Sequence, residues 1–267
     1  MSNTPSQDDE LAGTEQPFVQ HLMELRDRLV KAMIAIAVAA AFLFFFPGPG
    51  PLYDFLAAPL VAHLPKGATL IATSVISPFM VPLKILLMAA FLLALPFVLW
   101  QVWAFVAPGL YSHEKKLVLP LVVSSTLLFF IGVAFCYFFV FGQVFAFIQS
   151  FAPKSITAAP DIEAYLSFVL SMFLAFGLAF EVPIAVVVLA RMGVVSVEKL
   201  KSFRGYFVVG AFVVAAVVTP PDVVSQLALA VPMCILYEVG IWAAQVFLKH
   251  TKAPESTDDS AASSSSS

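Results

Sequence analysis

The sequence predicts an all-α integral membrane protein with six membrane-spanning helices. The chain is 61% hydrophobic and only 12% charged, whereas a soluble domain carries roughly 25% charged residues. Several apolar runs also exceed the ~20 residues that a helix needs to cross a ~30 Å hydrocarbon core. One of them, Ala164–Ala190, contains a single charged residue, Glu181. We expect one folded membrane domain over residues 17–248, between disordered polar tails at 1–16 and 249–267.

The first predicted span is entered through an amphipathic segment. Apolar residues recur at three- and four-residue steps within residues 17–31, which is typical of a helix with one apolar face. That segment runs without a break into the apolar stretch Ala32–Phe46. The connection after it, Pro47–Ser77, is rich in Pro and Gly. A connection of this length is expected to fold on itself or to lie on the membrane surface.

Five further spans follow, and the last two form a short hairpin. The fifth span would reach only ~21 Å as a helix, less than the thickness of the hydrocarbon core. A Thr-Pro-Pro-Asp turn at Thr219–Asp222 closes it. We place the five spans at Pro78–Ala107, Leu117–Gln149, Ala164–Ala190, Gly205–Val218 and Leu227–Leu248.

The distribution of basic residues predicts that both termini are cytoplasmic. Six spans put the two termini on the same side of the membrane, and Lys and Arg are enriched in cytoplasmic segments. The opposite side carries only Lys66 and Lys154. The basic residues on the side of the termini are Arg26, Arg28, Lys31, Lys115, Lys116, Arg191, Lys199, Lys201, Arg204, Lys249 and Lys252.

Two carboxylates on the predicted cytoplasmic face could bind a cation. Glu24 lies in the amphipathic segment, and Glu114 lies in the loop after the second span. Each has basic neighbours, so one interpretation is a simple surface pair, such as Glu24 with Arg28 four residues later. The alternative is that the two carboxylates face one groove and receive a cationic ligand. Arginine would suit this groove, because its planar fork donates two hydrogen bonds to one carboxylate.

A second polar group lies within the predicted spans. Glu181 sits well inside an apolar run, where an ionisable side chain is costly and indicates a functional site. Asp222 and Gln226 lie at the last hairpin, and Asp222 is also well placed to cap the final helix. These groups could relay protons, dock a polar ligand or fix a helix–helix contact. Lys84, near the start of the second span, is a conceivable partner for Glu181.

The sequence indicates binding rather than enzymatic catalysis. It has no set of residues for nucleophilic catalysis, no metal-ligand cluster and no phosphate-binding glycine loop, so we expect no metal or cofactor. The two cysteines, Cys136 and Cys234, lie in apolar spans and are expected to be core side chains. The histidines are scattered over the chain, at His21, His63, His113 and His250.

Seven short segments, in order along residues ~17–248, resemble one membrane protein family. The chain is similar to TatC, the multispanning receptor component of the twin-arginine protein translocase. The matching segments are His21–Arg28 (HLMELRDR), Ser77–Phe79 (SPF), Gln101–Pro108 (QVWAFVAP), Leu110–Lys116 (LYSHEKK), Tyr165–Phe168 (YLSF), Phe176–Pro183 (FGLAFEVP) and Thr219–Asp222 (TPPD).

The resemblance implies a concave, glove-like bundle in the bacterial cytoplasmic (inner) membrane and a role in protein export. Proteins of this family bind signal peptides that carry an Arg pair. With the single-span partners TatA and TatB, they move folded proteins across the membrane by using the proton-motive force. They also form larger complexes, so a homo-oligomer surrounded by lipid is expected, and no nucleic acid.

The family's functional residues map onto three regions of this sequence. The resemblance places the signal-peptide site at Glu24, Arg26, Phe105, Leu110 and Glu114, with the two arginines at Glu24 and Glu114 and with Arg26 orienting Glu24. Its intramembrane and partner-binding positions are Glu181, Asp222 and Gln226, and an assembly position falls on Pro59. The competing hypothesis from the residues is a proton-coupled secondary transporter of a small solute, with Glu181 and Lys84 as an ion relay. A purely structural scaffold is a third.

Overall fold

The chain forms a bundle of α-helices. The computed structural model describes residues 7–61, 70–106, 118–151, 161–219 and 222–249. Within these ranges the only β-structure is one parallel bridge between Ile71 and Asp161. The helices are α1 (Gln7–Phe45), α2 (Pro49–Val61), α3 (Ser77–Val106), α4 (Val118–Phe135), a π-helical turn (Cys136–Val140), α5 (Phe141–Phe151), α6 (Ile162–Phe180), α7 (Val182–Arg191), α8 (Val197–Ser202), α9 (Arg204–Val218) and α10 (Val223–Lys249).

Six apolar helical segments confirm the predicted fold class. Five are long and apolar enough to cross a membrane, and the sixth, α9, is shorter, with 15 residues or ~22 Å. The short helix belongs to the last hairpin, as predicted. The five long segments are Gln20–Phe45, Ser77–Val106, Val118–Phe147, Ile162–Arg191 and Val223–Phe247.

α1 and α2 organise the first third of the chain. α1 runs from Gln7 to Phe45, so its first residues overlap the segment 1–16 that was expected to be a polar tail. The predicted tail and the predicted start of the membrane domain at residue 17 stay predictions. The connection after the first span contains α2, to which the Tyr165 and Tyr137 hydroxyls donate hydrogen bonds at the carbonyl oxygens of Leu56 and Phe55.

The bundle has two ends, the Phe105 end and the Asp161 end. The Phe105 end holds the last turn of α3 and the part of α1 around Glu24, and it also holds α8. The Asp161 end holds the first turns of α3 and α6. Because successive spans run in opposite directions, α4 begins at the Phe105 end and α6 begins at the Asp161 end.

Two glycines let α4 and α6 approach closely. A Cβ at Gly132 of α4 would lie 2.5 Å from the Phe176 carbonyl oxygen. A Cβ at Gly177 of α6 would collide with the Phe129 ring. Since van der Waals packing and not hydrophobic exclusion drives helix association in lipid, small residues of this kind allow close packing. The fully buried rings of Phe129 and Phe176 fill the space beside them.

The fourth span breaks at Glu181. α6 ends at Phe180, and α7 begins at Val182, with Pro183 in its first turn. Proline has no N–H and its ring crowds the carbonyl four residues earlier, so the α-helical ladder is interrupted here. Gly240 of α10 packs against Pro183, because a Cβ there would lie 2.9 Å from the Pro183 Cα. α10 therefore packs directly against the residues that follow the break.

Asp161 fixes the beginning of α6. Its Oδ1 accepts hydrogen bonds from the backbone N–H groups of Glu163 and Ala164, each at 2.9 Å, as an N-cap does. Its Oδ2 accepts one from the Thr73 hydroxyl at 2.6 Å and one from the Thr73 amide at 3.1 Å. The Thr73 hydroxyl, followed by these backbone amides, lowers the pKa of Asp161 to about 2.

Lys84 pairs with Glu163 and not with Glu181. The Lys84 Nζ donates to Glu163 Oε1 at 2.8 Å, and the buried Ser77 hydroxyl donates to Oε2 at 2.7 Å. Glu163 is in the first turn of α6, and Glu181 follows its last turn, ~27 Å further along the helix axis. The suggested pairing of Lys84 with Glu181 is therefore wrong, and with it the proposed ion relay.

Double substitution will test this assignment. We expect Lys84→Met and Glu163→Gln each to lower the melting temperature of the purified protein. The double variant should lose roughly 2 °C less than the sum of the two single decreases. The effect is small because both side chains are more than a third exposed. Lys84→Met combined with Glu181→Gln is the control, and these should add. Coupling in the control pair alone would contradict the assignment.

The Asp161 cap predicts an acid-sensitive stability. Asp161→Ala should lower the melting temperature by about 2–4 °C at pH 7. Because the folded-state pKa lies below the ~3.9 of an unfolded Asp, the stabilisation is complete above about pH 4 and is lost as the pH falls through about 2. Melting curves between pH 7 and pH 2 should thus converge for the two proteins, whereas Asp161→Asn should keep a constant offset from Asp161→Ala. If the difference in melting temperature between wild type and Asp161→Ala is the same at every pH, the Asp161 carboxylate does not stabilise the protein as an N-cap.

Candidate functional site

Glu24 is held by Arg28 at the Phe105 end. The Arg28 Nε and Nη2 atoms donate to the same oxygen, Glu24 Oε1, at 2.9 and 2.6 Å. The two residues are one helical turn apart on α1, so the predicted surface pair is confirmed. Both bonds end on Oε1. The second oxygen, Oε2, is thus left for another donor, and the Glu24 side chain is 36% exposed.

Arg26 does not orient Glu24. Its Nε and Nη2 atoms donate to Asp27 Oδ1 at 3.0 and 2.8 Å, and its side chain is exposed. Residues two apart on a helix do not face each other, so Arg26 and Glu24 point in different directions. The prediction that Arg26 orients Glu24 is wrong, and Arg28 does so instead.

His21 joins Glu24 to Phe105. The rings of His21 on α1 and Phe105 on α3 are stacked, with centroids 4.2 Å apart and planes 18° apart. The His21 Nδ1 atom lies 3.9 Å from Glu24 Oε2. The structure thus brings Glu24 and Phe105 together, and the sequence reasoning did not assign His21 to the site. Its three-residue spacing from Glu24, which places both on one helix face, is the signal that could have found it.

Two predicted members of this site, Leu110 and Glu114, lie outside the described residues. Pro59 belongs to α2, and its side chain is also outside what the structure describes. The described part of the candidate site therefore consists of Glu24, Arg28 and His21 from α1 and of Phe105 from α3.

Glu181 is a half-buried carboxyl group at the break between α6 and α7. Within the described residues, neither of its oxygens has a hydrogen-bond partner, although both atoms are buried. Ser125 of α4 is a polar neighbour of this carboxyl group, and its Oγ accepts a hydrogen bond from the Trp103 Nε1 at 2.8 Å. A buried polar group left unpaired costs about 1–3 kcal/mol, and more when it is charged. Glu181 is thus retained at a cost in stability.

The last hairpin carries a third polar group. The Ser225 N–H donates to Asp222 Oδ1 at 2.7 Å, so the predicted N-cap of the last helix is confirmed. The Gln226 Nε2 donates to the Phe212 carbonyl oxygen at 3.3 Å and ties α10 to α9. Asp222 Oδ2 is buried and, among the described residues, has no partner. This group is distinct from the Phe105 end and from Glu181.

A further ion pair closes the hairpin on the side of α8. The Arg204 Nε lies 2.6 Å from Glu238 Oε1, and the Arg204 Nη2 donates to Oε2 at 2.7 Å. The two parallel contacts are the bidentate geometry that suits guanidinium and carboxylate. Among the described residues, no three His, Cys, Asp or Glu side chains cluster as a metal site would require.

Comparison with known families identifies relatives over most of the chain. Residues 20–232 match the family model of the Sec-independent protein translocase protein (TatC). The TatC protein of Escherichia coli strain K12 is 47% identical over 233 residues, which cover 87% of this chain and 90% of that protein. The TatC protein of Halothiobacillus neapolitanus is 49% identical over 87% of this chain, and the match spans 63% of its length.

A solved structure supports the same relationship. The crystal structure of the twin-arginine translocase receptor TatC superposes with a TM-score of 0.75 at 39% identity. The superposition covers 85% of this chain and 98% of that one. The similarity therefore extends over the bundle as a whole and is not limited to single motifs.

Removing the unpaired carboxyl group should stabilise the protein. We expect Glu181→Leu to raise the melting temperature by about 2–4 °C, because an apolar side chain needs no partner there. The measurement is thermal unfolding in detergent. Glu238→Leu is the matched control and should lower the melting temperature, since it leaves Arg204 without its carboxylate. A lower or unchanged melting temperature for Glu181→Leu would mean that Glu181 is satisfied in the folded protein.

Proposed function

Because the chain belongs to the TatC family of Sec-independent protein translocase components, we propose that it is the signal-peptide-binding core subunit of a twin-arginine translocase. It recognises the Arg pair of signal peptides and, with partner proteins, exports folded proteins across the membrane. Its apolar helices and its family make it a multi-pass membrane protein. The proposal is one of binding and transport, without a catalytic step or a cofactor.

The main observation behind this proposal is that one carboxylate oxygen of Glu24 is not engaged by Arg28. Arg28 engages one carboxylate oxygen and leaves Oε2 beside His21 at an exposed end of the bundle. A guanidinium from a signal peptide can donate to Oε2 without displacing Arg28. A hydrogen bond to a charged group contributes about 1.5–3 kcal/mol. That is enough for about a tenfold or greater change in affinity.

Three further residues are assigned to the same site. Glu114 receives the second arginine, and Phe105 and Leu110 shape the site. Arg26, paired with Asp27, lies at the edge of this site. Support for this arrangement comes from the contact between α1 and α3, in which Phe105 stacks on His21, one turn before Glu24.

Partner binding is assigned to the intramembrane groups. Glu181, Asp222 and Gln226 face the single-span TatA- and TatB-like partners, and Pro59 serves assembly. The unpaired carboxyl oxygens of Glu181 and Asp222 support this, since intramembrane polar groups that are retained at a cost in stability indicate a functional role. The energy for transport comes from the proton-motive force, and the working unit is a homo-oligomer within a larger complex.

The proposed orientation places the Phe105 end in the cytoplasm of a bacterium, with both termini there and the Asp161 end outside. The basic residues of α1 and α8 support it, because Lys and Arg are enriched on the cytoplasmic side of the inner membrane. The membrane domain spans residues 17–248, and 1–16 and 249–267 flank it as polar tails.

Binding of signal peptides to the purified protein in nanodiscs will test the function. Glu24→Gln and Glu114→Gln should each weaken the affinity for an Arg-Arg peptide by roughly 10–100-fold, because each removes the charge that a guanidinium meets. Fluorescence anisotropy of labelled peptides measures it.

The control for these variants is Glu198→Gln, which removes an exposed carboxylate of α8 at the same end of the bundle. It should leave the affinity unchanged. A Lys-Lys peptide should bind the wild-type protein more weakly than the Arg-Arg peptide. Equal binding of the two peptides, together with full binding by Glu24→Gln, would refute the proposed function.

A further inference from the structure

His21 presents a flat ring at the entrance to Glu24. One face of the imidazole is covered by Phe105, with 4.2 Å between the ring centroids. Its side chain is still 51% exposed, so the face turned away from Phe105 is accessible. The stacked pair forms a two-ring surface built from α1 and α3. Its outer ring belongs to the same helix as Glu24 and lies one turn before it.

The free oxygen of Glu24 lies on the His21 side. Arg28 approaches Oε1 from the following turn of α1, at 2.6 and 2.9 Å. Oε2 lies 3.9 Å from the His21 Nδ1 atom. A planar cation that donates to Oε2 can therefore also lie against the imidazole ring. Such a ligand contacts two surfaces, a carboxylate edge and an aromatic face.

These two surfaces together distinguish arginine from lysine. A guanidinium is planar and weakly hydrated, and it stacks on aromatic faces while donating in its own plane to a carboxylate. An ammonium is a compact and strongly hydrated charge, which contacts aromatic faces less often than a guanidinium does and cannot stack flat on them. A carboxylate alone would accept both cations. The aromatic face is what would add a preference for arginine.

We propose that His21 is a specificity-determining residue of the signal-peptide site, whose imidazole, backed by Phe105, stacks on the guanidinium held by Glu24 and so favours arginine over lysine. This inference rests on the proposed function and assigns to that site a residue beyond the carboxylates. A role limited to helix packing would make the ring equally important for every ligand.

Two substitutions of similar volume separate these roles. His21→Phe keeps a flat ring stacked on Phe105, and His21→Leu keeps the bulk without the ring. Affinities for Arg-Arg and Lys-Lys signal peptides are measured with the full-length protein in nanodiscs. We expect His21→Leu to weaken Arg-Arg binding by about fivefold and to leave Lys-Lys binding unchanged, so that the preference falls by the same factor. His21→Phe should keep the preference.

Other results would overturn the inference. If His21→Leu weakens the binding of both peptides equally, the stacked His21 and Phe105 rings only join α1 to α3. If the preference survives in His21→Leu, the ring plays no part in the choice of cation. Neither result contradicts the proposed function, as long as the wild-type protein prefers the Arg-Arg peptide and Glu24→Gln weakens the affinity for that peptide. A wild-type protein without any preference would overturn the inference. If Glu24→Gln also bound the Arg-Arg peptide fully, the proposed function would be refuted as well.

Discussion

Polar side chains in membrane-spanning helices need partners within the protein, because the hydrocarbon around them offers none. Most of the polar groups described here meet that requirement. Lys84 reaches Glu163 at the Asp161 end, and the Trp103 indole donates to Ser125 between α3 and α4. Glu181 does not meet it within the described residues. An unpaired carboxyl group inside a membrane-spanning segment indicates selection for something other than stability.

Conditions at the Phe105 end are different, because the charges there are exposed. The Glu24–Arg28 pair is only partly buried, and pairs of this kind contribute about 0–1 kcal/mol to stability. The pair therefore does little to hold the fold together. It does fix the direction of the carboxylate, because Arg28 takes one oxygen and turns the other towards His21. Arg28 thus acts as an internal positioning group for the proposed ligand of Glu24.

Features that depend on short sequence distances were predicted well. Hydrophobic run lengths identified the apolar helices, four-residue spacing identified the Arg28–Glu24 pair, and the residue order at the last hairpin identified Asp222 as an N-cap. Features that join distant segments were not predictable from one sequence. Lys84 and Glu163 are separated by 79 positions, and nothing local distinguishes Glu163 from Glu181 as the partner. Helix packing decides such pairings.

The last turn of α3 connects the two polar sites. Phe105 in this turn stacks on His21 of α1, and Trp103, two residues earlier, donates its indole hydrogen bond to Ser125 of α4. Ser125 is in turn a polar neighbour of Glu181. Phe105 and Trp103 belong to the same helical turn, so one secondary-structure element carries both contacts. The surface proposed to meet the signal peptide and the carboxyl group proposed to meet partner helices are therefore positioned by the same turn of one helix.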